Sequence, residues 1–295
     1  YLVKTGPGLS YTVPELKEAL KARIQKDYEA LGRILRETPA AGLENASFSL
    51  TDPQAILLDL QEQMKGLFPE LSQCGYEVRQ VPSCLEGSLS PAFYLTAPVD
   101  NRDQNVIYIN GGSTDSRKDL YTTLAHEGFP GHLYQTLSEQ TPPQSPVRSL
   151  FYFGGFVEGW ATYAERLSYR YAGLDPDMAD LLAANSFFLL GLYARSDVGI
   201  HYEGWTPSEM NQFWNGYSVT DSAALAEIYQ TIQQDPANYL KYYLGAVEIL
   251  ELKKEAENDL GAQFALKDFH SYLLRTGPAP FSILQAYLPA WTATD

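Results

Sequence analysis

Apolar residues recur every three or four positions through most of this chain, and that period commits it to helices. In residues 14–36, Leu16, Leu20, Ile24, Tyr28, Leu31 and Leu35 form one such stripe, the mark of a helix with one face in a core. Strand character is confined to residues 75–110. There GYEVRQVP, SPAFYLTA and NVIYIN are short, rich in β-branched and aromatic residues, and bounded by Gly, Pro, Asn and Asp. The DNRD stretch at 100–103 reads as the loop of a hairpin. A single, mostly α, multi-helix domain with a small antiparallel β insert is the architecture this pattern predicts.

Helix starts are marked by acids or hydroxyls followed by proline. Asp52-Pro53 opens a helix to about residue 68, Asp175-Pro176 one to about 202, and Thr206-Pro207-Ser208-Glu209 a shorter one with a capping box. Further helices are expected over 116–139, 145–171, 222–233, 236–258, 264–274 and 281–287. The apolar run at 186–194 is far too short to span a bilayer. Residue 1 is Tyr and no basic-then-apolar leader follows. The chain reads as soluble as given and as a mature form or fragment; its compartment is left open, with export or lipid-anchoring through a preceding segment one reading.

Charge and cysteine narrow the function. With 21 Lys+Arg against 36 Asp+Glu the net charge is −15, which argues against nucleic-acid or anionic-membrane binding. Two cysteines cannot build a disulfide framework or a Cys-rich zinc module. Cys74 and Cys84 either pair in an oxidising compartment or stay as thiols. Only 4 His are present, so two at a short spacing stand out.

That pair lies in TTLAHEGFPGHLYQ, as His126 and His132 with Glu127 beside the first. Two imidazoles to bind a metal and a carboxylate to take a proton from water are the parts of a zinc hydrolase. The spacing, however, is HExxxxH rather than HExxH. Six residues of ideal helix turn the chain roughly 240° net, so the rings would point apart. Gly128, Pro130 and Gly131 lie between them, at a cost on the order of 3 kcal/mol for Pro and 1 for each Gly in a helix. A two-residue bulge there would bring the rings back to one face. Glu158, in VEGWATYAE on the next helix, is the candidate third ligand, its alternative being a solvated helix carboxylate, and Glu165 is the substitute. Gly154 and Gly155 would let the two helices approach closely.

These residues resemble a known family. HEGFPGH followed by Gln135, then EGWATYAE, RSDVGIH at 195–201, Pro236 with YYLG at 242–245, and the tail DFHSYLL with Gly277-Pro278 are similar to the DUF885 family. The strand segments EVRQVP and SPAFYLTAP extend the likeness over nearly the whole chain. That family resembles gluzincin-type zinc metallopeptidases, including thermostable carboxypeptidases and oligopeptidases. Its members are longer at the N-terminus, so the chain looks like their catalytic C-terminal part. The resemblance implies one zinc ion held by His126, His132 and Glu158, with Glu127 as general base and proton donor to the leaving amine.

Other residues are candidates for supporting roles. His201 would donate a hydrogen bond to the oxyanion, and its alternative is a capping or core histidine. Tyr242, which fits the family pattern, would do the same, against ordinary packing. Arg195 would bind a substrate carboxylate, or else pair with one of the chain's own acids. His270 reads as structural. The strand AFYL, with Phe93 and Tyr94, would offer an edge to an extended peptide. The expected function is peptide-bond hydrolysis. The alternatives are a zinc-binding protein without catalysis, a metal-free peptide-binding module, and a hydrolase of non-peptide amides or esters using iron or manganese.

Overall fold

The computed structural model describes residues 1–37, 48–71, 75–98, 101, 103–112, 119–138, 148 and 151–293. Helices dominate: α1 (Leu2–Thr5), α2 (Val13–Glu37), α3 (Pro53–Gln63), α4 (Leu120–Glu127), α5 (His132–Ser138), α6 (Gly154–Ser168) and α7 (Pro176–Val198). After a π-helical turn at Gly199–Glu203 come α8 (Pro207–Asn215), α9 (Ser222–Gln234), α10 (Asn238–Leu260), α11 (Leu266–Thr276) and α12 (Phe281–Thr292). The fold is mostly α with a small β insert.

The capping signals work as their chemistry requires. Asp52 accepts from the Ala55 N–H with Pro53 at the first helical position, and Asp175 does the same for Asp177 and Met178 ahead of Pro176. Thr206 and Glu209 close a reciprocal capping box. The stripe of α2 buries Leu16, Leu20, Ile24 and Leu31, while Leu35 emerges into solvent at the helix end. Two expected helices differ. The 116–139 segment is two helices, with residues 113–118 and 139 outside the described ones. The helix expected from 145 begins only at Gly154, and 145–147 are likewise outside.

The insert is a mixed sheet, which corrects the antiparallel expectation. β1 (Tyr76–Gln80), β2 (Ala92–Leu95) and β3 (Asn105–Ile109) run in the order β1-β3-β2. β3 pairs antiparallel with β2 (Tyr94 opposite Ile107) and parallel with β1 (Val78 opposite Ile107). Burial explains the order. β3 is buried along nearly its whole length and takes the centre, whereas β1 is mostly half-buried or exposed and suits an edge. A 3₁₀ segment at Ser83–Ser88 carries the chain from β1 across to β2. The sheet lies beside α4, so β2 faces the His126–Glu127 end of that helix.

One contiguous apolar core joins the helices. Its axis is the packing of α6 against α10, with α4 on another side of α6 and the α2–α7 pair completing the body. Gly159 of α6 is required here. A Cβ on it would lie 2.4 Å from the Gly245 carbonyl carbon of α10. Gly155 serves the same contact and also rests on Pro7, so the close approach is made to α10 and not to the His-bearing helices. Among the described residues no helix is long and apolar enough to cross a membrane.

Candidate metal centre and the adjoining cleft

The helix that begins at Leu120 ends at Glu127 and restarts at His132. Gly128 takes φ −107°, ψ −99°, outside the helical range. The Tyr134 N–H then donates to the Gly128 carbonyl (3.1 Å), six residues back instead of four. Two extra residues are thus accommodated in the turn. Gly131 makes that possible, since a Cβ there would sit 1.8 Å from the His126 carbonyl oxygen. Trp160 of α6 donates its indole N–H to the Pro130 carbonyl (2.8 Å), satisfying a group the interruption leaves out of the helical ladder.

The consequence is that His126 and His132 converge. Their ring centroids are 4.8 Å apart and nearly perpendicular. Glu158 of α6 comes between them, its Oε2 3.2 Å from His132 Nε2 and 3.7 Å from His126 Nε2. Ligand atoms about 2.0–2.2 Å from a tetrahedral zinc lie about 3.3–3.6 Å from one another, and the Glu158 oxygen stands at about that distance from each imidazole nitrogen. Glu158 Oε2 is also buried and makes no hydrogen bond, an arrangement that is costly unless a cation completes it. The residues present therefore fit a metal.

Two more carboxylates have distinct roles. Glu165, two turns beyond Glu158 on α6, approaches His126 Nδ1 at 3.0 Å. That contact orients the ring and leaves Nε2 facing Glu158, as orienting carboxylates do for metal-binding histidines. Its geometry is that of an orienter and not of a substitute ligand. Glu127 also brings an oxygen into the same cluster as the two histidines, but its Oε2 accepts the Tyr94 backbone N–H of β2 (2.9 Å). Of the two neighbouring carboxylates, then, one is buried with an unbonded oxygen between imidazoles and the other is held by a strand. Burial opposes charge on both His126 and Glu158. Their pairing outweighs it, holding Glu158 well below the usual carboxylate range and, with Glu165, raising His126 well above the usual imidazole value.

A cavity of about 500 Å³ opens beside His126. Ser90, Thr162, Glu165, Arg166, Tyr239 and Tyr242 are among the residues that line it. Tyr242 of α10 lies 6.1 Å from the His126 ring, centroid to centroid. Its phenol is raised by burial and then by the nearby Glu158 and Glu127 carboxylates, so it keeps its proton. The adjacent Tyr243 turns into the core and donates to Asp27 (2.6 Å). Phe93 stacks on Tyr108 across the sheet (5.2 Å), while Tyr94 donates its hydroxyl to Asn105 (2.7 Å).

A family model described as "Bacterial protein of unknown function (DUF885)" matches residues 12–288. The chain belongs to that family. Two solved structures share its fold. A protein described as a "putative lipoprotein" from Colwellia psychrerythraea superposes with a TM-score of 0.82 at 20% identity, covering 99% of this chain and 54% of that one. A "putative lipoprotein of unknown function" from Shewanella oneidensis gives 0.75 at 20% identity, covering 96% and 57%. This chain spans about half the length of both. Among curated proteins no match was found.

Other family-motif residues are tied into the DUF885 fold itself. His201 sits on the π-helical turn, where its Nε2 donates to the Ile232 carbonyl (2.8 Å). Arg195 donates to both oxygens of Glu203 (3.2 and 2.9 Å) and lies over Trp205. The intramolecular acid is thus the partner this guanidinium has. Among the described residues, no contact joins either side chain to His126, His132 or Glu158. His270 is buried between the Leu67 carbonyl and the Tyr163 hydroxyl (2.7 and 2.9 Å), and burial lowers it to about 3. Cys84 is exposed, and Cys74 lies outside the described residues. Sequence reasoning passed over Trp160, Thr162 and Arg166. The only visible signal was their place in EGWATYAER, on the same helix as Glu158.

Proposed function

We propose that this chain carries the active site of a zinc-dependent peptidase. One observation supports this above the others. Glu158 Oε2 lies 3.2 and 3.7 Å from the Nε2 atoms of His132 and His126, while Glu127, in the same cluster, has one oxygen engaged by a strand N–H. His126, His132 and Glu158 would hold the ion, and zinc there would act as a Lewis acid toward water and a substrate carbonyl.

The chain's own groups do the rest. Glu127 accepts the proton of the attacking water and delivers it to the leaving amine. The Tyr94 N–H fixes the carboxylate for that exchange. β2 is an edge strand of the three-stranded sheet, with Ala92 buried and the Tyr94 N–H engaged by Glu127. Tyr242, protonated beside His126, donates to the oxyanion as the carbonyl is attacked. The description of both structural neighbours as lipoproteins supports an exported, membrane-anchored parent protein.

The decisive variant is Glu127→Gln, assayed against a broad peptide library. It should keep one zinc per chain by elemental analysis and lose turnover by about 10²–10⁴-fold. Full activity in that variant overturns the mechanism. A parent chain that binds zinc stoichiometrically and cleaves no peptide would instead make this a binding site without catalysis.

A further inference from the structure

The cavity beside His126 is lined by a cation, Arg166, that makes no ion pair among the described residues. Arg166 follows Glu158 by eight residues on α6, about 12 Å along the helix axis. Its guanidinium lies over the Phe187 ring (4.7 Å) and makes one long hydrogen bond, to the Ala183 carbonyl (3.4 Å). Among the described residues no carboxylate lies within ion-pair distance of it. Asp27, the acid whose field it feels most, is already held by Arg23 (3.1 Å) and by the Tyr243 hydroxyl (2.6 Å). Glu165, its neighbour in sequence, is turned to His126.

Midway between Glu158 and Arg166 stands Thr162. It is 5% exposed, it lines the same cavity, and its hydroxyl is buried with no hydrogen-bond partner. The walls are mixed: Tyr193 and Tyr239, in contact at 4.7 Å, with Leu189 and Leu190 form the apolar side, and Ser186, Asn238 and Glu165 add polar groups. A buried polar atom without a partner and a half-buried guanidinium without a carboxylate are costly. A planar guanidinium is also the group best shaped to receive a carboxylate in two parallel hydrogen bonds. We infer that this cavity binds a substrate carboxylate on Arg166, with Thr162 as a second donor. The peptides selected are therefore those carrying a negative charge a few residues beyond the cleaved bond. An extended chain advances about 3.3–3.6 Å per residue, so the axial span to Arg166 corresponds to roughly three residues.

The shared chemistry is a carboxylate, supplied by a free C-terminus or by an acidic side chain. This rests on the peptidase reading for the direction in which substrate lies, but its test needs no turnover. Three probes are titrated into zinc-loaded Glu127→Gln protein by calorimetry: penta-alanine with a free C-terminus, the same peptide amidated, and an amidated copy carrying one Glu. At least one anionic peptide should bind about tenfold or more tighter than the neutral amide, equivalent to about 1.4 kcal/mol. Adding Arg166→Gln should bring it down to the level of the amide, and Arg166→Lys should restore part of the difference. Circular dichroism and thermal melts report whether each variant is folded. Preference for the free acid assigns the site to the C-terminus, and preference for the Glu peptide assigns it to a side chain. Equal binding of all three peptides, or a preference that survives Arg166→Gln, overturns the inference. Charge preference in a protein whose parent cleaves nothing would leave the pocket standing and remove the peptidase reading alone.

Discussion

Around α6, Glu158 Oε2 and Thr162 Oγ1 are buried without hydrogen bonds, and among the described residues Arg166 has no acid within ion-pair distance. At the C-terminal end of α7 the same kinds of residue are bonded inward. Asp197 is 1% exposed and accepts the N–H groups of Ala237 and Tyr239 (2.9 and 3.2 Å), His201 donates to Ile232, and Arg195 is paired with Glu203. The one unbonded group there, Arg195 Nη1, belongs to a guanidinium stacked on Trp205. Folding alone can account for the second region, because its polar groups are matched among themselves. The first differs: Thr162 and Arg166 line a cavity without such partners, and Glu158 Oε2 has only the two imidazoles near it, so a bound metal and a polar ligand are what we propose complete that region.

The largest effect that should separate the two regions is on metal affinity. Glu158→Ala is expected to weaken zinc binding by more than about 100-fold, beyond what loss of an orienting partner costs. Titration against a competing zinc chelator measures this directly. In the parent, zinc at about 100 times its dissociation constant should raise the unfolding free energy by about 2.7 kcal/mol. Zinc affinity unchanged in Glu158→Ala would end the distinction between the regions. Glu165→Gln comes next. It keeps the shape of the side chain but removes the charge from His126 Nδ1, and it should cost about 10–100-fold in zinc affinity with little change in melting temperature.

How far the sequence foretold this contrast depends on how local each determinant is. Asp-Pro and Thr-Pro caps are read within four residues, and Asp52, Asp175 and Thr206 all bond as their positions imply. The interruption between His126 and His132 was legible because Gly, Pro and Gly are expensive in a helix and adjacent in sequence. Strand direction was not legible, since alternation does not distinguish parallel from antiparallel neighbours. Only the unbroken apolar character of NVIYI hinted that β3 is central. Nor could the roles of Arg195 and Arg166 be told apart. Each is an arginine on a helix. What decides is whether an acid arrives from elsewhere, such as Glu203 for one, while Asp27 is diverted to Arg23 and Tyr243 for the other. Trp160 is a similar case, because its partner is a carbonyl exposed by the interruption thirty residues earlier.

A smaller effect tests the α7 region. Asp197→Ala strips two part-buried backbone N–H groups of their acceptor at the start of α10, which should lower stability by about 1–3 kcal/mol. Urea unfolding of the zinc-free chain measures it. Zinc affinity should be unchanged, because Asp197 touches none of the three candidate ligands. A loss of zinc in parallel with stability would mean that the two regions are one cooperative unit.

His201→Gln should have the smallest effect, and it is the sharpest check on the comparison. The ring nitrogen that faces protein is occupied by the Ile232 carbonyl, so the variant removes one hydrogen bond at a partly exposed site. Its stability cost is about 0.5–1.5 kcal/mol. If Tyr242 is the oxyanion donor, Tyr242→Phe lowers turnover by about 10²–10³-fold while His201→Gln changes it less than about twofold, and both keep their zinc. The opposite pattern, with His201→Gln inactive but zinc-loaded and Tyr242→Phe active, would require His201 to leave Ile232 and swing toward the cleft when substrate binds. The π-helical turn at Gly199–Glu203 would then be a moving part, and the matched polar groups of the α7 region would describe only its resting state.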